Sequence, residues 1–309
     1  MDYALGLVRY RPPASEKNPH SEHELDICLE LSHEEYRQSS EAIQTLYDFD
    51  CQARFLTVVA LNYQDYFRAL DTRIPAYIQR GDKDPQQSVD MESISLELNR
   101  LLINYISSIT LYLKRTEIYI QKKYGNESEN LRKFNEFRHE LYESSFSYRF
   151  VYFLRNYAQH AGLPIDHVTL TSTVSPNNSN MITHLLRVRI LRDSLLKNYH
   201  YETRNENSLK REISKQPSEI DLRPHLVGMM ETVHKLNSQF ILSELDTLKP
   251  SASILNNLLA RLPSHEGADP YLFALEVVKD ESFLGGGNTV KNWRMIAIPV
   301  KAIQYLLAN

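Results

Sequence analysis

The residues best suited to chemistry in this 309-residue chain stand together at Arg155-Asn156-Tyr157-Ala158-Gln159-His160. An imidazole titrates near neutral pH, a guanidinium offers a fixed charge with a fork of donors, and an amide can orient either. Asn156 and His160 are four residues apart, so on a helix they share a face. Arg155 is adjacent, and Tyr152 and Arg149 lie one and two turns back. This set suits cleavage of an RNA phosphodiester without a metal. The imidazole takes the 2′-hydroxyl proton while the guanidinium grips the scissile phosphate in bidentate fashion. With this composition, Arg followed by Asn, Asp or His and, four positions further on, by His is expected about 0.1 times by chance. A looser match, Arg132 with His139, has Lys133 after the Arg. A structural role competes: a helix C-terminus favours a cationic His160, and Arg155 could pair with an acid at the core edge.

These residues must be positioned by helices. Ile94, Leu98, Leu101, Tyr105, Ile109, Leu113 and Ile120 recur at steps of three and four, and Gly125 is the first Gly or Pro after them. That predicts a long amphipathic helix stopped by Gly125-Asn126. Asn126 and Glu129 then cap a further helix that runs to about His160, where Gly162 and Pro164 end it. Two long helices joined by a short turn pack antiparallel. Upstream, the spacing predicts strands over 3–10 and 25–31, a helix from Ser32 with the capping box Ser32-x-x-Glu35, and another helix over 51–77. After Pro164 the period becomes two, predicting one β-hairpin near 166–190 around Pro176-Asn177 and a second near 271–300 around Gly285-Gly286-Gly287. Helices are expected over 221–248 and 251–262. The expected fold is mainly α with a small β component. Its segments are 1–50, with strands and a helix packing on the core, the helical core 51–164, and 165–309, forming one compact unit with that core.

Composition narrows the function. A net charge of -4 and a pI near 6.3 exclude a generally basic nucleic-acid coat, so any RNA site is local. Charge is uneven: ten acids and two bases fall in 16–50, whereas 187–215 holds eight bases and four acids. Arg187 and Arg189 in the basic stretch, with Arg149 and Tyr152, are the expected substrate contacts. The longest apolar run is far short of a membrane span, and the acidic start Met1-Asp2-Tyr3 predicts no secretory signal. With two cysteines, Cys28 and Cys51, neither a disulfide framework nor a cysteine zinc site is expected, and the expected location is the cytoplasm. His20-x-x-His23 with Glu24 and Asp26 is a weak metal candidate in polar sequence, and no cofactor or metal is expected. Walker-type, dinucleotide, zinc-protease and nucleophile-elbow patterns are absent from the sequence. Seven rings between Tyr142 and Tyr157 fill a core or an interface more readily than they stack bases.

The Arg155-Asn156-x-x-x-His160 pattern at the end of a long helix resembles the motif of the HEPN family. The resemblance implies a metal-independent ribonuclease of the toxin–antitoxin or antiviral-defence kind, with its active site formed by two motifs across a homodimer. Arg155 would then engage phosphate, Asn156 would orient the site and His160 would be the catalytic imidazole. The motif covers six residues, and the strands and hairpins go beyond the helical bundle of that family. An antitoxin or another defence-system protein is the further partner implied. The alternatives are a non-catalytic dimeric helical scaffold and a helical module that binds a nucleotide phosphate through Arg155 and His160 without cleaving it.

Overall fold

The computed structural model describes residues 2–11, 22–81, 90–175, 178–198, 204–263, 268–279 and 289–308. Strands β1 (Tyr3–Arg11) and β2 (Glu22–Glu30) lead into α1 (His33–Arg68), which a π-helical turn, Ala69–Arg73, links to α2 (Ile74–Gly81). Then come α3 (Met91–Tyr124), α4 (Glu129–Ser144), α5 (Phe146–His160), β3 (His167–Ser175) and β4 (Asn178–Leu191). The chain continues with α6 (Arg192–Asn198), α7 (Arg204–Ser214), β5 (Glu219–Asp221), α8 (Leu222–Leu259), β6 (Asp269–Lys279), β7 (Thr289–Ala297) and α9 (Val300–Ala308). The fold is mainly α, with two small antiparallel sheets.

Packing divides the chain into two units, one of Met1–Cys51 with Ser243–Asn309 and one of Gln52–Leu242. This differs from the three segments expected from the sequence, and the borders fall inside α1 and α8. In the first unit the sheet order is β2-β1-β6-β7. β1 pairs with β2 through Leu5↔Leu29 and with β6 through Leu5↔Leu272, so both ends of the chain build one sheet. Leu5, Ile43, Leu46, Leu255, Leu272 and Ile303 are buried together as its core. Helix α1 starts as its capping box requires. Ser32 N–H donates to Glu35 Oε2 at 2.9 Å, and Glu35 N–H donates to Ser32 Oγ at 3.2 Å. The Ser32 N–H, the Arg261 guanidinium and the Ser32 hydroxyl, all donating to it, hold the Glu35 carboxyl down at about 2.

In the second unit α3 supplies the central apolar stripe, with Leu98, Tyr105, Ile109 and Tyr112 all buried. Its tyrosines at seven-residue steps meet α8: Tyr105 Oη donates to Leu226 O at 3.1 Å, Tyr112 Oη donates to Asn237 Oδ1 at 3.1 Å, and Tyr119 packs edge-on against Phe240. Buried hydroxyls are tolerated because each finds an acceptor, and burial pushes both phenols well above the ordinary range. The second sheet has the order β3-β4-β5, with Leu186, Val188 and Ile190 of β4 buried.

Several expected boundaries move. The helices from Ser32 and over 51–77 join in α1, because no Gly or Pro interrupts the chain between His33 and Ile74. The helices expected over 221–248 and 251–262 are one, α8, with Pro250 inside it. The helix expected from Asn126 to His160 is two. Ser128, not Asn126, caps α4 by accepting from Leu131 N–H. Ser145 breaks the run in an extended conformation and caps α5 by accepting from Tyr148 N–H at 3.2 Å. β2 begins at Glu22, ahead of the strand expected over 25–31, so His23 and Glu24 belong to it as well as Asp26. The glycine run 285–287, His20 and the 176–177 turn lie outside the described residues.

Candidate functional site

Helix α5 carries the candidate site because its two faces differ. Phe150, Phe153, Leu154 and Tyr157 are buried. Tyr152, Arg155, Asn156, Gln159 and His160, at steps of three, one, three and one, keep contact with solvent. Most of the ring-rich stretch is therefore core, as expected, and Tyr152 is its exposed ring.

Arg155 is half-buried, and its Nη1 donates to Asn156 Oδ1 at 3.1 Å. The amide thus steadies one edge of the guanidinium and leaves donors on its other edge. Among the described residues no carboxylate pairs with Arg155. The looser match is different. Arg132 is clasped by Glu129 through Nε–Oε2 at 2.9 Å and by Glu136 through Nη1–Oε1 at 2.7 Å, so two carboxylates already occupy its fork. Two similar Arg–His pairings therefore differ sharply in electrostatics.

His160 is the last residue of α5 and is exposed. The helix ends as Ala161 N–H donates to Tyr157 O at 2.8 Å. The loop beyond is tied to α3 by Asn99, whose Nδ2 donates to Ile165 O at 3.0 Å and whose Oδ1 accepts from Ile165 N–H at 2.9 Å. Asn99 and Ile165 are both buried. Asn99 is the positioning residue missed from the sequence: one Asn in a helical pattern gives no sign of a partner 66 residues away.

The expected substrate contacts separate. Tyr152 shares the exposed stripe with Arg155, Asn156 and His160. Arg149 does not reach outward. It donates to Tyr142 O at 2.7 Å and to Glu143 O, and its Nη2 pairs with Glu212 Oε2 of α7 at 2.7 Å. That guanidinium caps the end of α4 and holds α7 to the junction. Arg187 and Arg189 sit on β4 rather than on the motif helix. Arg189 is paired with Glu219 of β5, whereas Arg187 is exposed and lines a cavity of about 410 Å3 with Tyr66, Asp71, Asp221 and Arg223. Lys197, Arg211 and Lys215 of the basic stretch are exposed.

A second imidazole, His225 of α8, lies 3.2 Å from Ser147 Oγ through Nδ1, flanked by Phe146 and Phe150. Burial lowers its pKa below the ordinary value, and Asp221 opposes that only in part. Gly228 lets the helices approach here, since a Cβ on it would lie 3.0 Å from Ser147 Oγ. Among the described residues no group of three or more His, Cys, Asp and Glu side chains could hold a metal ion, and no helix is long and apolar enough to cross a membrane.

Comparison with protein-family models, with curated proteins and with solved structures gives no match for this chain.

Proposed function

We propose that this protein is a HEPN-like, metal-independent ribonuclease that acts in the cytoplasm as a toxin or antiviral-defence effector. The observation that carries the reading is the state of Arg155: half-buried, paired with no described carboxylate, and oriented by Asn156, which lies one helical turn before His160. A guanidinium held in this way is suited to a phosphate, because its orienting partner is neutral. Arg155 binds the scissile phosphate and stabilises the charge that develops on it. His160 takes the proton of the 2′-hydroxyl as that oxygen attacks phosphorus and the 5′-oxygen leaves. Asn156 fixes the guanidinium. Two copies of the motif meet across a homodimer, which supplies the second imidazole that protonates the leaving oxygen. Arg187 and the exposed cations after it hold the flanking strand.

The test is cleavage of mixed single-stranded and folded RNA in EDTA by wild type, Arg155→Ala and His160→Ala. Wild type cleaves, and His160→Ala loses on the order of a hundredfold or more, the range of general acid–base catalysis. Equal cleavage by wild type and variant would remove this site from the reaction. No cleavage by wild type, with Arg155→Ala or His160→Ala lowering the melting temperature, would favour a non-catalytic scaffold.

A further inference from the structure

A second ligand site lies where α3, α4 and α5 converge. α3 contributes Lys114 and Glu117 at a three-residue step, and α4 contributes Asn135, Arg138, His139 and Tyr142 at steps of three, one and three. Each set therefore forms one helical face. Tyr148 and Tyr152 of α5 complete the wall of a cavity of about 440 Å3, within the usual range for small-molecule sites.

Three features define what fits. The first is aromatic. Tyr142 meets Tyr148 edge-on at 5.3 Å and Tyr152 edge-on at 6.4 Å, and the exposed Tyr152 leaves ring surface available to a flat ligand. Burial pushes the Tyr148 phenol up to about 12, so it stays neutral and does not repel an anion. The second is a surplus of positive charge. Lys114 Nζ approaches Glu117 Oε2 at 3.2 Å and Arg138 Nη1 approaches the same oxygen at 3.7 Å. Two cations thus share one carboxylate, the second contact is too long for a hydrogen bond, and the guanidinium keeps its donors. The third is an unmet acceptor. Asn135 Oδ1 is buried with no hydrogen-bond partner, a costly state that a ligand N–H would relieve.

We infer that this cavity binds a single nucleotide unit. Its base lies against Tyr152 and Tyr142 with an N–H on Asn135 Oδ1, and its phosphate lies on Lys114, Arg138 and the exposed His139. A flat ring, an N–H donor and an anion in one small molecule are the features of a nucleotide, and an Asn amide paired with a base edge is an established mode of recognition. The same chemistry is offered by a free mononucleotide and by one residue of a single strand. This inference does not depend on cleavage: Tyr152 is also an expected substrate contact, but no residue of the cavity takes part in the proton transfers or in charge stabilisation at the scissile phosphate.

The experiment is isothermal titration of the full chain with AMP, GMP, CMP and UMP, and with a 2′-O-methylated tetranucleotide that cannot be cleaved through its 2′ positions. At least one of them binds. Tyr152→Ala weakens that binding about tenfold, as expected for loss of one stacking ring. Arg138→Gln weakens it by about as much, as expected for a charge-assisted contact. Unchanged thermal unfolding of Tyr152→Ala, whose ring is exposed, verifies that the fold is intact. Saturation by a mononucleotide that displaces the oligomer identifies a free-nucleotide site, and binding of the oligomer alone identifies a strand site. Either outcome supports the inference. Absence of binding by every ligand, affinities unchanged in both variants, or phenyl phosphate binding as tightly as the mononucleotides would overturn it. Failure of RNA cleavage would leave these titrations unaffected, so the two proposals fall separately.

Discussion

Asn99 concentrates two buried backbone groups on one side chain, because both the N–H and the carbonyl of Ile165 depend on it. Asn99→Leu keeps the volume but strands both, and each lost partner costs about 1–3 kcal/mol. The variant should lose roughly 3 kcal/mol in urea unfolding, and the loop after His160 should lose protection in hydrogen exchange. His225 sets a different expectation. Burial depresses its folded-state pKa below 6.5, so on acidification the unfolded chain takes up the proton first. The stability it contributes is complete above pH 6.5 and is lost as the pH falls through the folded value. Urea unfolding at about pH 7.5 and 5.5 should show that decline, and His225→Gln should flatten it. At this scale the Arg155–His160 stripe was legible, because a step of four on a helix is a geometric fact. Arg149 and Asn99 were not legible. What decides their roles is Glu212 and Ile165, each more than 60 residues away.

The elements show the same division between local and distant causes. Gly125 ends α3 at φ +94°, a conformation that side chains rarely adopt, although nothing lies within 4 Å of a Cβ there. Gly125→Ala should therefore cost about 1–3 kcal/mol through backbone strain alone, measurable as a lower melting temperature. The Gly125 stop, the Ser32 capping box and the alternation in β3 and β4 could be read because each is written within a few residues. The break at Ser145 was missed because apolar periodicity runs on through Phe146 and Tyr148. The cap that wins there is one hydroxyl on the N–H of Tyr148. Merging of the predicted helices in α1 reflects the reverse error, a boundary placed where no Gly or Pro stands. In α8 the helix continues through Pro250, whose nitrogen cannot make the backbone hydrogen bond of that turn.

At the scale of the whole molecule, charge makes the final prediction. The chain is net acidic, and Arg132, Arg149 and Arg189 are already engaged with carboxylates. Among the described residues, Arg155, Arg187, Lys197, Arg211 and Lys215 remain for RNA phosphate. A slope of log K against log salt of about -3.5 per protomer, as for five contacts to a single strand, is expected in a titration from low to moderate ionic strength. The mainly α character and both antiparallel pairs were legible from periodicity. The joining of β1 to β6 was not, because strand pairing across more than 260 residues leaves no local trace. That pairing also orders events at the ribosome. The unit of Gln52–Leu242 is one continuous stretch, and every partner it needs has been synthesised once its last residue emerges. β1 must wait for β6 and β7 before its sheet is complete, so during translation one edge of the nascent strand is left without its native neighbour while most of the chain is made.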